Sequence, residues 1–101
     1  MDDVVLVVNT HSSCSDVWPM FFDRLKKHFP NKKVYVISDI KEGLPSYCHI
    51  LEYSEEDDYR TQFLKGIQQV REEFCINFNE DYIFYDDVDT EKLEYCLNYL
   101  E

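Results

Sequence analysis

The sequence predicts an α/β domain, three-layered and Rossmann-like, built on a mostly parallel four-stranded sheet. Three observations carry that expectation. Short β-branched or aromatic runs alternate with segments of helical periodicity, in the order strand, helix, strand, strand, helix, strand, helix. The first run, "VVLVVN", is apolar without alternation, as in a strand buried on both faces. Polar residues follow the strands, and in such sheets ligands bind beyond the carboxyl ends.

Each element has its own signal. Val4 to Asn9 is the first strand, followed by the polar loop "THSSCSD". Trp18, Phe21, Phe22, Leu25 and Phe29 then recur at helical spacing. Ser15 or Asp16 is the expected N-cap, Pro19 falls in the tolerated first turn, and Pro30-Asn31 stops the helix. Lys33 to Ser38 is the second strand, and Gly43 with Pro45 marks a turn. "YCHILEY" reads as a shorter third strand. Ser54 with Asp57 resembles a capping box opening a helix whose stripe is Tyr59, Phe63, Ile67, Val70 and Phe74. Gly66 weakens that helix by about 1 kcal/mol relative to Ala. "DYIFYD" is the expected fourth strand, and Leu93, Cys96, Leu97 and Leu100 mark a closing helix.

Size and composition bound the function. A chain of 101 residues supports one domain, 1–101, and one modest core. With 45% apolar residues it is too apolar for disorder, and 2 Gly and 3 Pro leave no room for a long linker. A formal net charge of -11 argues against nucleic acid and anionic membrane surfaces, because phosphate recognition by bulk charge needs a basic face. Arg24, Lys26, Lys27, Lys32 and Lys33 form the basic patch, read as a solvated helix face. No stretch approaches transmembrane length, and "MDDVVLVV" lacks the basic start and long apolar region of a signal peptide. Cys14, Cys48, Cys75 and Cys96 form no CxxC pair, so zinc fingers are not expected. Reduced thiols in an intracellular, cytoplasmic protein are the simplest reading.

The stretch "YIFYDDVDT" raises the sharpest question, because three aspartates in four residues follow an apolar run. Asp89 or Thr90 suits the N-cap of the last helix, with Glu91 at its positive end. A DxDxT phosphatase reading fails on spacing, since Thr90 directly follows Asp89, and a receiver-type site needs its acids after the first strand. A hard divalent cation fits: Mg²⁺ or Mn²⁺ is typically shared between one or two carboxylates and ligand phosphates. Asp87 and Asp89 would hold it, with Asp86 supporting.

The stretch "VVLVVNTHSSCSDVWPMFFDRLKKHFP", with "SDVWPMFF" inside it and "YIFYDD" later, resembles the nucleotide-binding half of GT-A fold glycosyltransferases, the nucleotide-diphospho-sugar transferases. The resemblance implies a nucleotide sugar, most simply a UDP-sugar, bound with Mn²⁺ or Mg²⁺. Carried over residue by residue, it implies nucleoside contacts at Thr10, His11 and Asp39, nucleotide contacts at Arg60 and Asp86, and metal ligation by Asp87 and Asp89, with Asp86 a competing ligand if the register is DD rather than DxD. The chain ends after one such unit, so a minimal or truncated transferase is expected, with slow or no transfer by itself. The alternative is a non-catalytic α/β interaction domain that forms homo-oligomers through open sheet edges.

Overall fold

The computed structural model describes residues 4–79 and 89–100. Among them lies an all-parallel four-stranded sheet with three α-helices. The strands are β1 (Val4–Asn9), β2 (Val34–Ser38), β3 (His49–Glu52) and β4 (Phe74–Asn79), and the helices are α1 (Trp18–His28), α2 (Tyr59–Ile67) and α3 (Thr90–Leu100). The strand order is β3-β2-β1-β4. The chain therefore winds outward from β1 to β3 in one direction, then crosses back to place β4 on the other side. A doubly wound sheet has its topological switch point at such a reversal, here between β1 and β4.

Two apolar clusters make the three layers. On one face Leu6 and Val8 of β1 pack with Val34 and Val36 of β2 against Trp18, Phe21, Phe22 and Leu25 of α1. Leu93 of α3 packs against the same cluster. On the other face Val5 and Val7 join Tyr35 and Ile37 under Phe63 and Ile67 of α2. Residues of alternate parity along β1 thus feed opposite layers, and both sets are buried, as the unbroken "VVLVV" requires. No helix of the described residues is long and apolar enough to cross a membrane.

Four details differ from the sequence reading, and each has a local cause. A 3-10 helix spans Ser12–Val17, so neither Ser15 nor Asp16 caps α1; its N-cap is Val17, without a side-chain cap, and Pro19 does fall in the first turn. The cap of α2 is Asp58, whose Oδ1 accepts from Thr61 N at 2.8 Å, while Ser54 and Asp57 form the turn before it. α2 stops at Ile67, so Val70 and Phe74 are not on it. Phe74 instead opens β4, where Phe74, Ile76 and Phe78 are half-buried and Cys75, Asn77 and Asn79 are exposed. Phe74 stands four residues after Val70 by coincidence, and the period-two pattern of "FCINFN" is the one the fold uses. The strand expected at "DYIFYD" lies outside the described residues.

Gly66 has a tertiary reason to be glycine. A Cβ built there would stand 2.6 Å from Ile37 Cδ1 and 2.8 Å from its Cγ1, so α2 lies directly on β2. Gly66→Ala gains about 1 kcal/mol of helix propensity but overpacks a buried β-branched side chain, at a cost of roughly 1–3 kcal/mol. The expected outcome is a lower urea midpoint with an unchanged m-value; a raised midpoint would show that α2 can lift off Ile37 at little cost.

Candidate functional site at the switch point

The last rung of the sheet forms the floor of the site. Asn9 is in register with Ile37 on β2 and with Asn79 on β4. It is also in phase with Val5 and Val7, so it points toward the α2 layer where a third apolar residue would continue the row. A cavity of about 470 Å³ opens above this rung, within the size range of small-molecule sites. Its walls are Tyr59, Gln62 and Phe63 of α2 and Tyr53 beyond β3, with Thr10, His11 and Asn79 completing the lining.

Asn9 lines this cavity from a buried position, being 8% accessible. Its Nδ2 lies 3.4 Å from Tyr59 Oη, a long contact, and its Oδ1 has no hydrogen-bond partner. Exchanging the two ends of the amide moves the deficit to nitrogen without removing it. A buried amide end without a partner costs on the order of 1–3 kcal/mol. A ligand donor or acceptor entering the cavity would offset that cost.

The expected nucleoside contacts sit at this rim in three different situations. Thr10 lines the cavity, yet its Oγ1 accepts from Trp18 Nε1 at 2.8 Å on the α1 side. Its carbonyl accepts from Tyr53 Oη at 3.0 Å, which ties the β1 end to the segment after β3. His11 lines the cavity and caps the 3-10 helix, its Nδ1 accepting from Ser13 N at 3.0 Å. Its Nε2 faces two carboxylates, Glu55 and Asp39, the latter 3.3 Å away.

Asp39 follows β2 as expected, but it holds the neighbouring loop. Its Oδ1 accepts from Ser12 N at 2.8 Å and its Oδ2 from Ser12 Oγ at 2.6 Å, with the side chain only 6% accessible. Burial pushes its pKa up, and this is the largest single influence. The Ser12 hydroxyl and amide, with His11 beside them, outweigh it and hold the carboxyl below its ordinary value. The residue is thus a charged clamp between the ends of β1 and β2, outside the cavity lining.

Of the remaining expected residues, the two that are described, Arg60 and Asp89, do not line the cavity. Arg60 is exposed on α2 and does not line the cavity. Asp86 and Asp87 lie outside the described residues. Asp89 is exposed and caps α3, its Oδ1 accepting from Lys92 N at 3.1 Å. Asp89→Ala is therefore expected to lower stability by about 1 kcal/mol, the usual cost of losing such a cap. A thermal melt checks this, and an unchanged midpoint would show that α3 starts elsewhere.

The sequence reading counts Asn9 among the polar rim residues after the first strand but assigns it no contact, and it misses Tyr53, Gln62 and Asn79. The signal for Asn9 was present: it is the polar end of an otherwise apolar run, in phase with Val5 and Val7. Tyr59 and Phe63 were read as one core stripe; Phe63 does pack on the sheet, while Tyr59 is 68% exposed and stands over the cavity mouth. Cys48, Cys75 and Cys96 are free thiols. Burial pushes the Cys48 thiol up to about 12, which makes it inert packing in the α1 layer.

Comparison with models of known protein families, with curated proteins and with solved structures finds no match to this chain.

Proposed function

We propose that the chain is a nucleotide-sugar-binding domain of the glycosyltransferase type, with the nucleoside seated in the switch-point cavity. The observation that carries this is the unsatisfied Asn9 amide, buried on the floor of that cavity. A primary amide offers one donor and one acceptor side by side, the pattern that pairs with the edge of a nucleobase. Tyr53, Tyr59 and Phe63 supply flat apolar walls for stacking, and Gln62 and Asn79 supply further amides. The β3-β2-β1-β4 order supports the same reading, since parallel sheets wound in this way bind nucleotides at the reversal.

Among the described residues the lining contains no Lys or Arg, so in this reading the phosphates belong outside the cavity. In this reading Mn²⁺ or Mg²⁺ on Asp87 and Asp89, with Asp86 nearby, would hold the diphosphate. Of these acids Asp89 falls among the described residues; it is exposed, and its Oδ1 is engaged by the cap of α3. When bound, the ion would act as a Lewis acid on the departing diphosphate. The chain's own residues seat the base, orient the ribose end toward the rim and leave acceptor binding to another wall. Positioning of both reactants supplies much of a transferase's rate, so transfer by the isolated chain is slow or absent in this reading.

Calorimetry with UDP, in EDTA and in Mn²⁺, tests the proposal. Binding in EDTA that tightens in Mn²⁺, with the gain abolished in Asp87→Ala, is the expected result. Equal affinity in both buffers would count against the metal role, and no binding in either would overturn the reading.

A second reading, self-association of a non-catalytic domain, is favoured by one observation. Tyr95, Tyr99 and Leu100 of α3 are 75%, 85% and 67% accessible, an unusual load of exposed apolar surface on one short helix. Light scattering across a concentration series separates it from the first, which requires nothing of the oligomeric state.

A further inference from the structure

Three strand ends bring one metal-binding donor each to a single point. His11 follows β1, Asp39 follows β2 and Glu55 stands three residues beyond β3. One ligand atom of each lies within 4.8 Å of the other two. His11 Nε2 is 3.3 Å from Asp39 Oδ2 and in direct contact with Glu55 Oε1. Two ligands on one tetrahedral zinc, with bonds of about 2.0–2.1 Å, stand roughly 3.3 Å apart. The polypeptide thus already holds the His11–Asp39 pair at the separation of neighbouring ligands.

Charge and orientation agree with this spacing. Two carboxylates and a neutral imidazole carry two negative charges, matching a divalent ion, whereas a neutral ring offers the two carboxylates a single proton. Asp39 is fixed by the Ser12 amide and hydroxyl, so a rigid, buried ligand is in place before any ion arrives. Glu55 is 63% accessible and free to adjust. Ser13 Oγ lies 2.9 Å from His11 Nδ1, where it can accept the Nδ1 proton of a ring bound through Nε2.

We infer that His11, Asp39 and Glu55 form a divalent transition-metal site, best matched to Zn²⁺, at the rim of the switch-point cavity. The mixed nitrogen and carboxylate donors suit Zn²⁺ over Mg²⁺, which prefers all-oxygen coordination. The proton balance is internal to the ring. In the metal-free protein Nδ1 accepts from Ser13 N, so the neutral ring carries its proton on Nε2. On binding, Nε2 gives its lone pair to the metal and the proton moves to Nδ1, which donates it to Ser13 Oγ; the Ser13 N–H loses Nδ1 as its acceptor, so binding exchanges the cap of the 3-10 helix for the metal bond. Three protein ligands leave a fourth position for water or a ligand group. His11 also lines the cavity, so the ion stands where the cavity opens. This site is independent of the nucleotide reading and uses none of Asp86, Asp87 and Asp89.

The test is calorimetry of the EDTA-stripped full chain with ZnCl₂, repeated with CoCl₂ followed by visible absorption. One equivalent of Zn²⁺ is expected to bind, with affinity lowered at least tenfold in His11→Ala and in Glu55→Gln. Ser13→Ala, which removes only the outer hydrogen-bond partner, is expected to weaken binding about 10- to 100-fold. Cys14→Ser should leave this affinity unchanged, which separates the site from a thiol site. Glu55 is exposed, so Glu55→Gln keeps the experiment decisive even if His11→Ala loosens the loop. Absence of Zn²⁺ binding, or an affinity unmoved by Glu55→Gln, would overturn the assignment and leave an ordinary ion pair.

Discussion

Trp18→Ala is expected to bring the domain close to unfolding, with a loss of about 3–5 kcal/mol. Trp18 is 2% accessible and packs with Phe21, Phe22 and Leu25 against Leu6 and Val8 of β1. Its deletion leaves a large cavity in the α1 layer, and it also removes the Nε1 donor that Thr10 Oγ1 accepts. Small domains have only about 5–15 kcal/mol in hand, so a loss of this size is a large fraction of the whole. Trp18→Phe separates the two contributions, because it keeps most of the ring and drops the hydrogen bond. It is expected to cost about 1–2 kcal/mol, near the value of one buried hydrogen bond plus slight underpacking. Urea titrations of both variants check the pair. A Trp18→Ala protein as stable as the parent would mean that the α1 layer is not the core.

Asn9→Leu is expected to move stability and binding in opposite directions. Leucine has nearly the shape of asparagine, extends the Val5–Val7 row and removes a buried amide end that lacks a partner. A gain of roughly 1 kcal/mol follows, or about 4–8 °C in Tm for a domain of this size. Nucleoside binding is expected to disappear in the same variant, because the floor of the cavity loses both its donor and its acceptor. Stability given up in the natural sequence to keep a buried polar group is the signature of a position kept for a ligand. A destabilised Asn9→Leu protein would instead show that the amide already has its partners, and the site would lose its main support.

The layered fold was legible because its signals are redundant. β1 and β2 are apolar runs bounded by polar residues, and α1 carries four large apolar residues at helical spacing with Phe29 at its C-cap, so local pattern and tertiary use agree. The α2–β4 region was not, because Val70 and Phe74 continue a four-residue spacing past the point where the helix stops. Period four and period two coincide at such positions, and only the packing of Ile76 and Phe78 on the α1 layer decides between them. The placement of the site at the carboxyl rim was also legible, since it follows from parallel topology alone. Which rim residues face a ligand was not. Thr10 and Asp39 are polar and correctly placed, but their side chains are taken up by Trp18 and Ser12, contacts spanning a loop whose path no spacing rule gives. Asp89 reads as a cap from the sequence and is one in the structure.

The central claim is that the switch-point cavity seats a nucleoside, and a titration of uridine followed by ¹⁵N NMR tests it most directly. Uridine carries no phosphate, so neither bulk charge nor a bridging metal enters the result. The predicted outcome is saturable shifts of the Asn9 and Gln62 side-chain amides, together with the backbone amides of Thr10, Ile37 and Phe63, all with one dissociation constant. Spectra unchanged at millimolar uridine, or shifts confined to residues away from this cavity, would contradict it.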